Sequence, residues 1–289
     1  MRRYGQNHLV DKNILHAIVD QATVGSDDVV LEVGAAGGLL TRPLLERARL
    51  VHAFEIDRRW LPRLQELAAA DPRLVLHAGD ALKADLGALD PPPTAVVANL
   101  AYNIAIPLIM TTISGLPSVR RWAVMVQKEL GERLFASPST KAYSAVSVLT
   151  QLACRVEKVR PVPASAFRPQ PRVESSFLSF VRRDAPGDDA GPGAAEAGTA
   201  DIAAGAPGSA EYAAVSHLVR LAFGQRRKTL VNSLGGAAHT GATLSRDDVR
   251  AALVALALGG SARPEELTPP QWRMFAAELG RVAAGGPAA

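Results

Sequence analysis

Four short runs of β-branched and other apolar residues recur along the first hundred positions: "DDVVLEVG", "LVHAFEID", "RLVLHAGD" and "TAVVANL". Segments with helical spacing of apolar residues separate them, such as "LLTRPLLERA" and "RRWLPRLQELAAA", the latter stopped by Asp71-Pro72. Strands that alternate with helices fold into a mostly parallel sheet covered on both faces, because parallel neighbours need a crossover. Each run also ends on a residue that a buried strand does not need: Gly34, Glu55 with Asp57, Asp80, and Asn99. In open parallel sheets, ligands bind outside the carboxyl ends of the strands. The coincidence of all these residues at strand ends therefore predicts a ligand pocket there.

The rest of the chain divides by composition. A helix is expected over 13–22, and "IPLIMTTISG" forms another with Pro107 in its first turn, where a missing N–H costs little. "RWAVMVQKELGERL" runs from strand to helix, "SAVSVLTQLACRVEKVRPV" from helix to strand, and "SSFLSFVRR" alternates like an edge or hairpin strand. Gly, Ala, Pro and Asp dominate from Asp184 to Ser209, a composition that buries little and reads as a flexible linker. Beyond it, "YAAVSHLVRLAFGQRRKTLVNSL", "SRDDVRAALVALAL" and "TPPQWRMFAAEL" read as helices of a small all-α domain. The expected organisation is a catalytic α/β domain over 1–183, a linker over 184–209, a helical domain over 210–284, and a frayed tail over 285–289.

Composition excludes several classes. The lone Cys154 permits no internal disulfide, and no metal-ligand cluster is evident. No apolar run is long enough to span a membrane and the N-terminus has no secretory pattern, so a cytoplasmic protein is expected. A net charge of +4 is modest, but its cations cluster at Arg168 and Arg172, at Arg182 and Arg183, and at Arg226, Arg227 and Lys228. Such clusters read either as solvated surface or as contacts to a phosphate-rich partner.

The strand ends together outline a nucleoside site. Gly34 allows a sharp turn and the close approach of a ligand, although Ala35 and Ala36 break the G-x-G-x-x-G spacing and no Walker lysine follows. Glu55 can accept from two ribose hydroxyls, and Asp80 from an exocyclic adenine amine beside the small Ala81. Weak phosphate-cradling features favour S-adenosylmethionine over a dinucleotide. Asn99, with the backbone carbonyl of Leu100 or Ala101, can hold an amino group and favour the positive charge that develops on its nitrogen as it attacks a methyl sulfonium. Tyr102 offers a flat face for a base drawn out of its stack.

At these residues the chain resembles the ribosomal RNA adenine N6,N6-dimethyltransferases, specifically the bacterial small-subunit enzymes that modify two adjacent adenines near the 3′ end of 16S rRNA. The resemblance rests on "GQNHLVD", "LEVGAAGGLLT", "FEIDRR", "GDAL", "NLAYNIAIPL", "MVQKELGERL", "KAYSAVSVLTQ", "VPASAFRPQPRVESSF" and "AFGQRRKTLVNSL", in order to about Leu234. It implies a class I S-adenosylmethionine-dependent methyltransferase with a Rossmann-like sheet and a small C-terminal helical domain. It also implies that Asn7 and Leu9 close over the cofactor, Gly34 meets its methionine part, Glu55 holds the ribose and Asp80 the adenine. Asn99 would sit between cofactor and target amine, with Leu100 and Tyr102 beside it, and Phe167 would stack on the target adenine opposite Tyr102. Arg168, Arg172, Arg226, Arg227 and Lys228 would contact RNA. The implied partner is 16S rRNA within the small subunit, bound by a monomer. Two alternatives remain: a large-subunit adenine methyltransferase that confers antibiotic resistance, and an assembly factor with little catalysis. The sequence departs from the family's usual pattern at Ala101, where Pro is common, and at Ala35-Ala36, where Pro-Gly is common.

Overall fold

The computed structural model describes residues 8–183, 207–239 and 241–283. The chain forms two compact units, Met1–Gly131 with Cys154–Arg182, and Glu132–Ala153 with Arg183–Ala289. Asn7, the segment 184–206 and the tail 285–289, all given roles above, lie outside the described residues.

The first unit is built on a seven-stranded sheet. Its strands are β2 (Val29–Val33), β3 (Leu50–Glu55), β4 (Leu74–Ala78), β5 (Ala95–Asn99), β6 (Arg121–Gln127), β7 (Cys154–Val162) and β9 (Ser175–Arg182). They lie in the order β4-β3-β2-β5-β6-β9-β7. The first five are mutually parallel, β9 runs antiparallel to β6, and β7 runs antiparallel to β9 and therefore in the direction of the first five. Every residue of β2 is buried, as a strand covered on both faces requires. The helices of this unit are α1 (Lys12–Gln21), α2 (Thr41–Leu45), α3 (Leu61–Ala70) and α4 (Ala105–Gly115), and α5 (Lys128–Leu134) begins in it. The Asp11 carboxylate caps α1 by accepting from the Asn13 and Ile14 amides. Leu15, Ile18 and Val19 of that helix, and Ala22 just after it, enter the core.

The chain runs outward from β2 to β3 and β4, then crosses back to β5 on the other side of β2. That reversal is the switch point at which such sheets bind ligands. Gly34 and Asn99 leave the sheet from its two central strands.

Two readings change in this unit. The strand β9 is interior, not an edge: Phe177, Leu178 and Phe180 bury both of its faces, and the small Ser175, Ser176 and Ser179 fit between them. The edge is β7. Arg182 is not part of a surface cluster, being 6% exposed. Its guanidinium donates to the carbonyls of Ile113, Leu116 and Val119 at 3.1, 3.0 and 2.7 Å, satisfying the C-terminal end of α4 and the turn after it, and stands 5.1 Å from the centre of the Trp122 ring.

The second unit is helical, with α6 (Ala145–Ala153), α7 (Ala210–Gly224), α8 (Leu230–Leu234), α9 (Arg246–Ala255) and α10 (Pro269–Ala283), and one two-residue hairpin, β10 (Ala238–His239) with β11 (Ala242–Thr243). Ser209 caps α7, and Ser245 with Asp248 forms a capping box on α9. The segment Glu132–Ala153 groups with this unit rather than with the residues before it, because α6 packs on α7 and α10. The Tyr143 hydroxyl donates to Leu267 O at 2.8 Å and that of Tyr212 to Leu149 O at 3.1 Å, tying distant segments together. Among the described residues no helix is long and apolar enough to cross a membrane.

Candidate active site

Glu55 is the best-prepared group at the strand ends. It is 1% exposed at the end of β3. The Ala36 amide donates to its Oε2 and the Asp57 amide to its Oε1, each at 2.7 Å. Burial pushes this carboxyl above its ordinary range, and the two backbone N–H groups oppose the rise. Each oxygen keeps lone-pair capacity for a further donor, so the side chain is held rigid and can accept two hydroxyls. Asp80 follows β4 and accepts from the Leu82 amide at 3.0 Å through Oδ1, which closes a tight turn around it. Asp57 is engaged elsewhere, with the Arg59 guanidinium and amide, and does not line the cavity.

Gly34 has φ +83°, and a Cβ there would stand 3.7 Å from the carbonyl oxygen of Asn99, in the mouth between the two central strands. Ala36 also has a positive φ, of 47°. The glycine usual in the resembled family would adopt this freely, whereas an L-residue pays about 1–2 kcal/mol. Ala36→Gly therefore raises stability by about 0.5–1 kcal/mol after its greater unfolded-state entropy is subtracted. Thermal or urea unfolding checks this, and a lower midpoint would show that the turn is not strained.

One cavity of about 160 Å³ gathers Gly34, Glu55, Asp80, Asn99, Tyr102 and Phe167, with Ala81 and Leu100 also in its wall. Asn99 ends β5, and the Leu100 amide donates to Met125 O at 3.1 Å, which fixes the chain as it leaves the strand. The Tyr102 hydroxyl is buried in this wall and has no hydrogen-bond partner. Phe167 comes from a short strand β8 (Phe167–Arg168) that pairs with β1 (His8–Leu9), Leu9 opposite Phe167. Its ring is 2% exposed, so it serves as a packed wall of the cavity. A second cavity, of about 270 Å³, opens beside the first and shares Gly34, Ala36 and Asn99 with it. Leu9 and Arg168 line this one. The Arg168 guanidinium also donates to Phe167 O at 3.0 Å and Ser165 O at 3.3 Å, while Arg172 is exposed.

The cations of the second unit divide. Arg226 donates to the carbonyls of Thr140 and Lys141, both at 3.0 Å, and lies 3.7 Å from Glu265. It is spent on packing within its unit. Arg227 and Lys228 are exposed.

Sequence reasoning missed Glu32, Trp60 and Arg63, which all line the second cavity. Trp60 just before α3 and Arg63 within it look like ordinary amphipathic positions. Glu32 did carry a signal, as a carboxylate in the middle of the apolar run "VVLEV". It is 1% exposed, and its Oε2 has no hydrogen-bond partner. Burial above all pushes its carboxyl up to about 8, against the opposing effect of Thr41 and with a lesser contribution from the charge of Glu55. The folded protein thus holds a proton that the unfolded chain releases near the ordinary carboxylate range. Stability contributed by this group is full below that range and is lost as pH rises toward about 8. Glu32→Gln, which mimics the protonated form, should be level with wild type at about pH 5 and more stable by at least about 1 kcal/mol at about pH 8. Melting curves at the two pH values test this, and parallel changes in both proteins would contradict it.

Comparison with known proteins places this geometry. The family model described as ribosomal RNA adenine dimethylase matches residues 1–190. The ribosomal RNA small subunit methyltransferase A of Rubrobacter xylanophilus is 40% identical over 269 residues, 93% of this chain and 90% of the relative. The protein of the same name from Thiobacillus denitrificans is 40% identical over 233 residues, 81% of this chain and 83% of the relative. Among solved structures, a dimethyladenosine transferase from Plasmodium falciparum superposes with a TM-score of 0.74 at 24% identity, covering 94% of this chain and 97% of its own. The 23S rRNA methyltransferase ErmE gives a TM-score of 0.65 at 26% identity, covering 95% of this chain and 100% of its own. Taken together with the residues gathered at the sheet's switch point, these matches show that the chain belongs to the ribosomal RNA adenine dimethylase family.

Proposed function

We propose that the chain transfers methyl groups to N6 of two adjacent adenines near the 3′ end of 16S rRNA, producing N6,N6-dimethyladenosine during maturation of the small ribosomal subunit. It acts as a monomer in the bacterial cytoplasm, where that substrate is assembled. The observation that carries the reading is the meeting of Gly34, Glu55, Asp80 and Asn99 in one cavity with Tyr102 and Phe167.

The residues present fit S-adenosylmethionine. The first cavity is lined by two carboxylates and, among the described residues, by no lysine or arginine. That lining suits a nucleoside with a positive charge and disfavours a pyrophosphate. Glu55 would hold the ribose and Asp80 the adenine amine. Leu9 and the turn from Gly34 to Gly37 would receive the methionine part in the second cavity, where Glu32 offers a carboxyl oxygen without a partner. When bound, S-adenosylmethionine supplies an activated methyl group.

The chain's own part is to present the amine. The side-chain oxygen of Asn99 and a backbone carbonyl at Leu100 would accept the two N6 hydrogens and turn the nitrogen lone pair toward the cofactor side of the cavity. As positive charge grows on that nitrogen, its N–H groups become stronger donors to both oxygens, so the interaction strengthens toward the transition state. Water can take the released proton, and no strong base is needed. Tyr102 and Phe167 would hold the extruded base by its faces. Asn is neutral and does not trap the monomethylated product by charge, which leaves the site open to a second transfer.

Methyl transfer from labelled cofactor to separate small and large subunits, both lacking adenine methylation, tests the reading. Label in the small subunit is expected. Label in large subunits alone would assign the chain to the resistance methyltransferases. Tight subunit binding without label would assign it to the assembly factors.

A further inference from the structure

We propose that one face of the edge strand β7 is a track for the RNA backbone, on which Arg160, Lys158 and Arg155 meet successive phosphates of the strand that delivers the adenine; this rests on the functional reading above. Among the described residues β7, at the opposite edge of the sheet from β4, pairs on one side only, with β9. The register places Val162 opposite Ser175, Arg160 opposite Phe177, and Lys158 opposite Ser179. Residues two apart share a face, so Lys158, Arg160 and Val162 form one row.

Simple alternation would put Arg155 on the other side. The register shifts between Val156 and Lys158, and beyond the shift Arg155 lies opposite Val181. Val181 is on the same face of β9 as Ser179, Phe177 and Ser175. The extra residue at Glu157 therefore returns Arg155 to the row, as a β-bulge does when it re-aims a side chain. Three cations stand in line: Lys158 and Arg160 exposed, Arg155 half-buried.

Two residues of a strand advance by about 6.6 Å, so the cations are evenly spaced along the row, as the phosphates of an extended single strand are. The row also leads somewhere. It ends at Val162, whose partner Ser175 lines the first cavity, and the chain then continues through Ala164–Ala166 to Phe167 in the same wall. A strand whose base entered that cavity would have its backbone leave toward the cations. One carboxylate lies in the strand: Glu157, with Oε1 3.3 Å from Arg155 and Oε2 3.5 Å from the Ser179 hydroxyl. It competes with phosphate for Arg155. An acidic protein would satisfy the charge but not the even step or the continuity with a base-sized cavity. Charged side chains also protect edge strands from pairing with other chains, and that role alone is the competing outcome.

The test compares wild type, the double variant Lys158→Ala/Arg160→Ala, and Glu157→Gln. Binding to small subunits lacking adenine methylation is measured by filter retention across a salt series, and methyl transfer as KM and kcat. For the double variant, KM for subunits should rise about tenfold with kcat and cofactor affinity unchanged. Its log–log salt slope should fall by about 1.4, two contacts at roughly 0.7 each. Glu157→Gln should lower KM, because it releases Arg155. A double variant with wild-type KM and salt slope overturns the track, even if its solubility falls, since the cations would then only guard the edge. Wild type that neither binds nor methylates small subunits overturns the functional reading and the track together. Wild type that binds without methylating overturns the catalytic reading alone, and the salt slope still decides the track.

Discussion

Asn99→Ala lowers methyl transfer by roughly 10²–10³-fold, the scale seen when one preorganised partner of a developing charge is removed. Asn99 sits at the end of β5, and among the described residues it is the one polar side chain that borders both cavities. Its loss removes an acceptor that strengthens as the nitrogen becomes positive, and the cost therefore falls mainly on kcat. Cofactor affinity should change by a few-fold at most, because Glu55 and Asp80 remain. Single-turnover transfer together with calorimetric titration of the cofactor separates the two. A variant that transfers at the wild-type rate would remove Asn99 from the chemistry.

Glu55→Ala weakens S-adenosylmethionine binding by roughly 10²–10³-fold. Two hydrogen bonds to a charged carboxylate are lost, each on the order of 1.5–3 kcal/mol, with some return from relief of its buried charge. The damage also reaches the turn, since the Ala36 and Asp57 amides both donate to this side chain and would be left without an acceptor. Glu55→Gln separates the effects. It keeps one carbonyl oxygen and the shape, and should lie between Ala and wild type. Calorimetry reads the affinity, and an alanine variant that binds like wild type would place the ribose elsewhere.

The strand ends were legible because each breaks a local rule: a buried apolar run stops on a group that packing does not require. Gly34, Glu55, Asp80 and Asn99 stand out for this reason, and parallel pairing gathers them along one edge. The same logic did not reach Glu32, because a carboxylate inside β2 looks like an interruption until its depth is known. Local pattern identified β9 as a strand but not as an interior one. Its neighbour β6 approaches from far along the chain, and the serines that let the strands pack closely resemble surface serines. Cationic runs were the least readable. Arg182, Arg226 and Arg160 look alike in sequence, yet the first two donate to backbone carbonyls and Arg160 is exposed. Helix 145–153 was recognisable from its spacing, but its allegiance to the second unit depends on packing against α7 and α10, which no local window contains. At Ala36 the departure from glycine concealed a left-handed turn that the backbone keeps.

The most direct test of the central claim is to let the protein act on small ribosomal subunits lacking adenine methylation and to map the product by mass spectrometry of 16S rRNA fragments. N6,N6-dimethyladenosine at two adjacent positions near the 3′ end is the predicted result, absent with Asn99→Ala. Unmodified adenines at those positions after incubation with saturating S-adenosylmethionine would contradict the account.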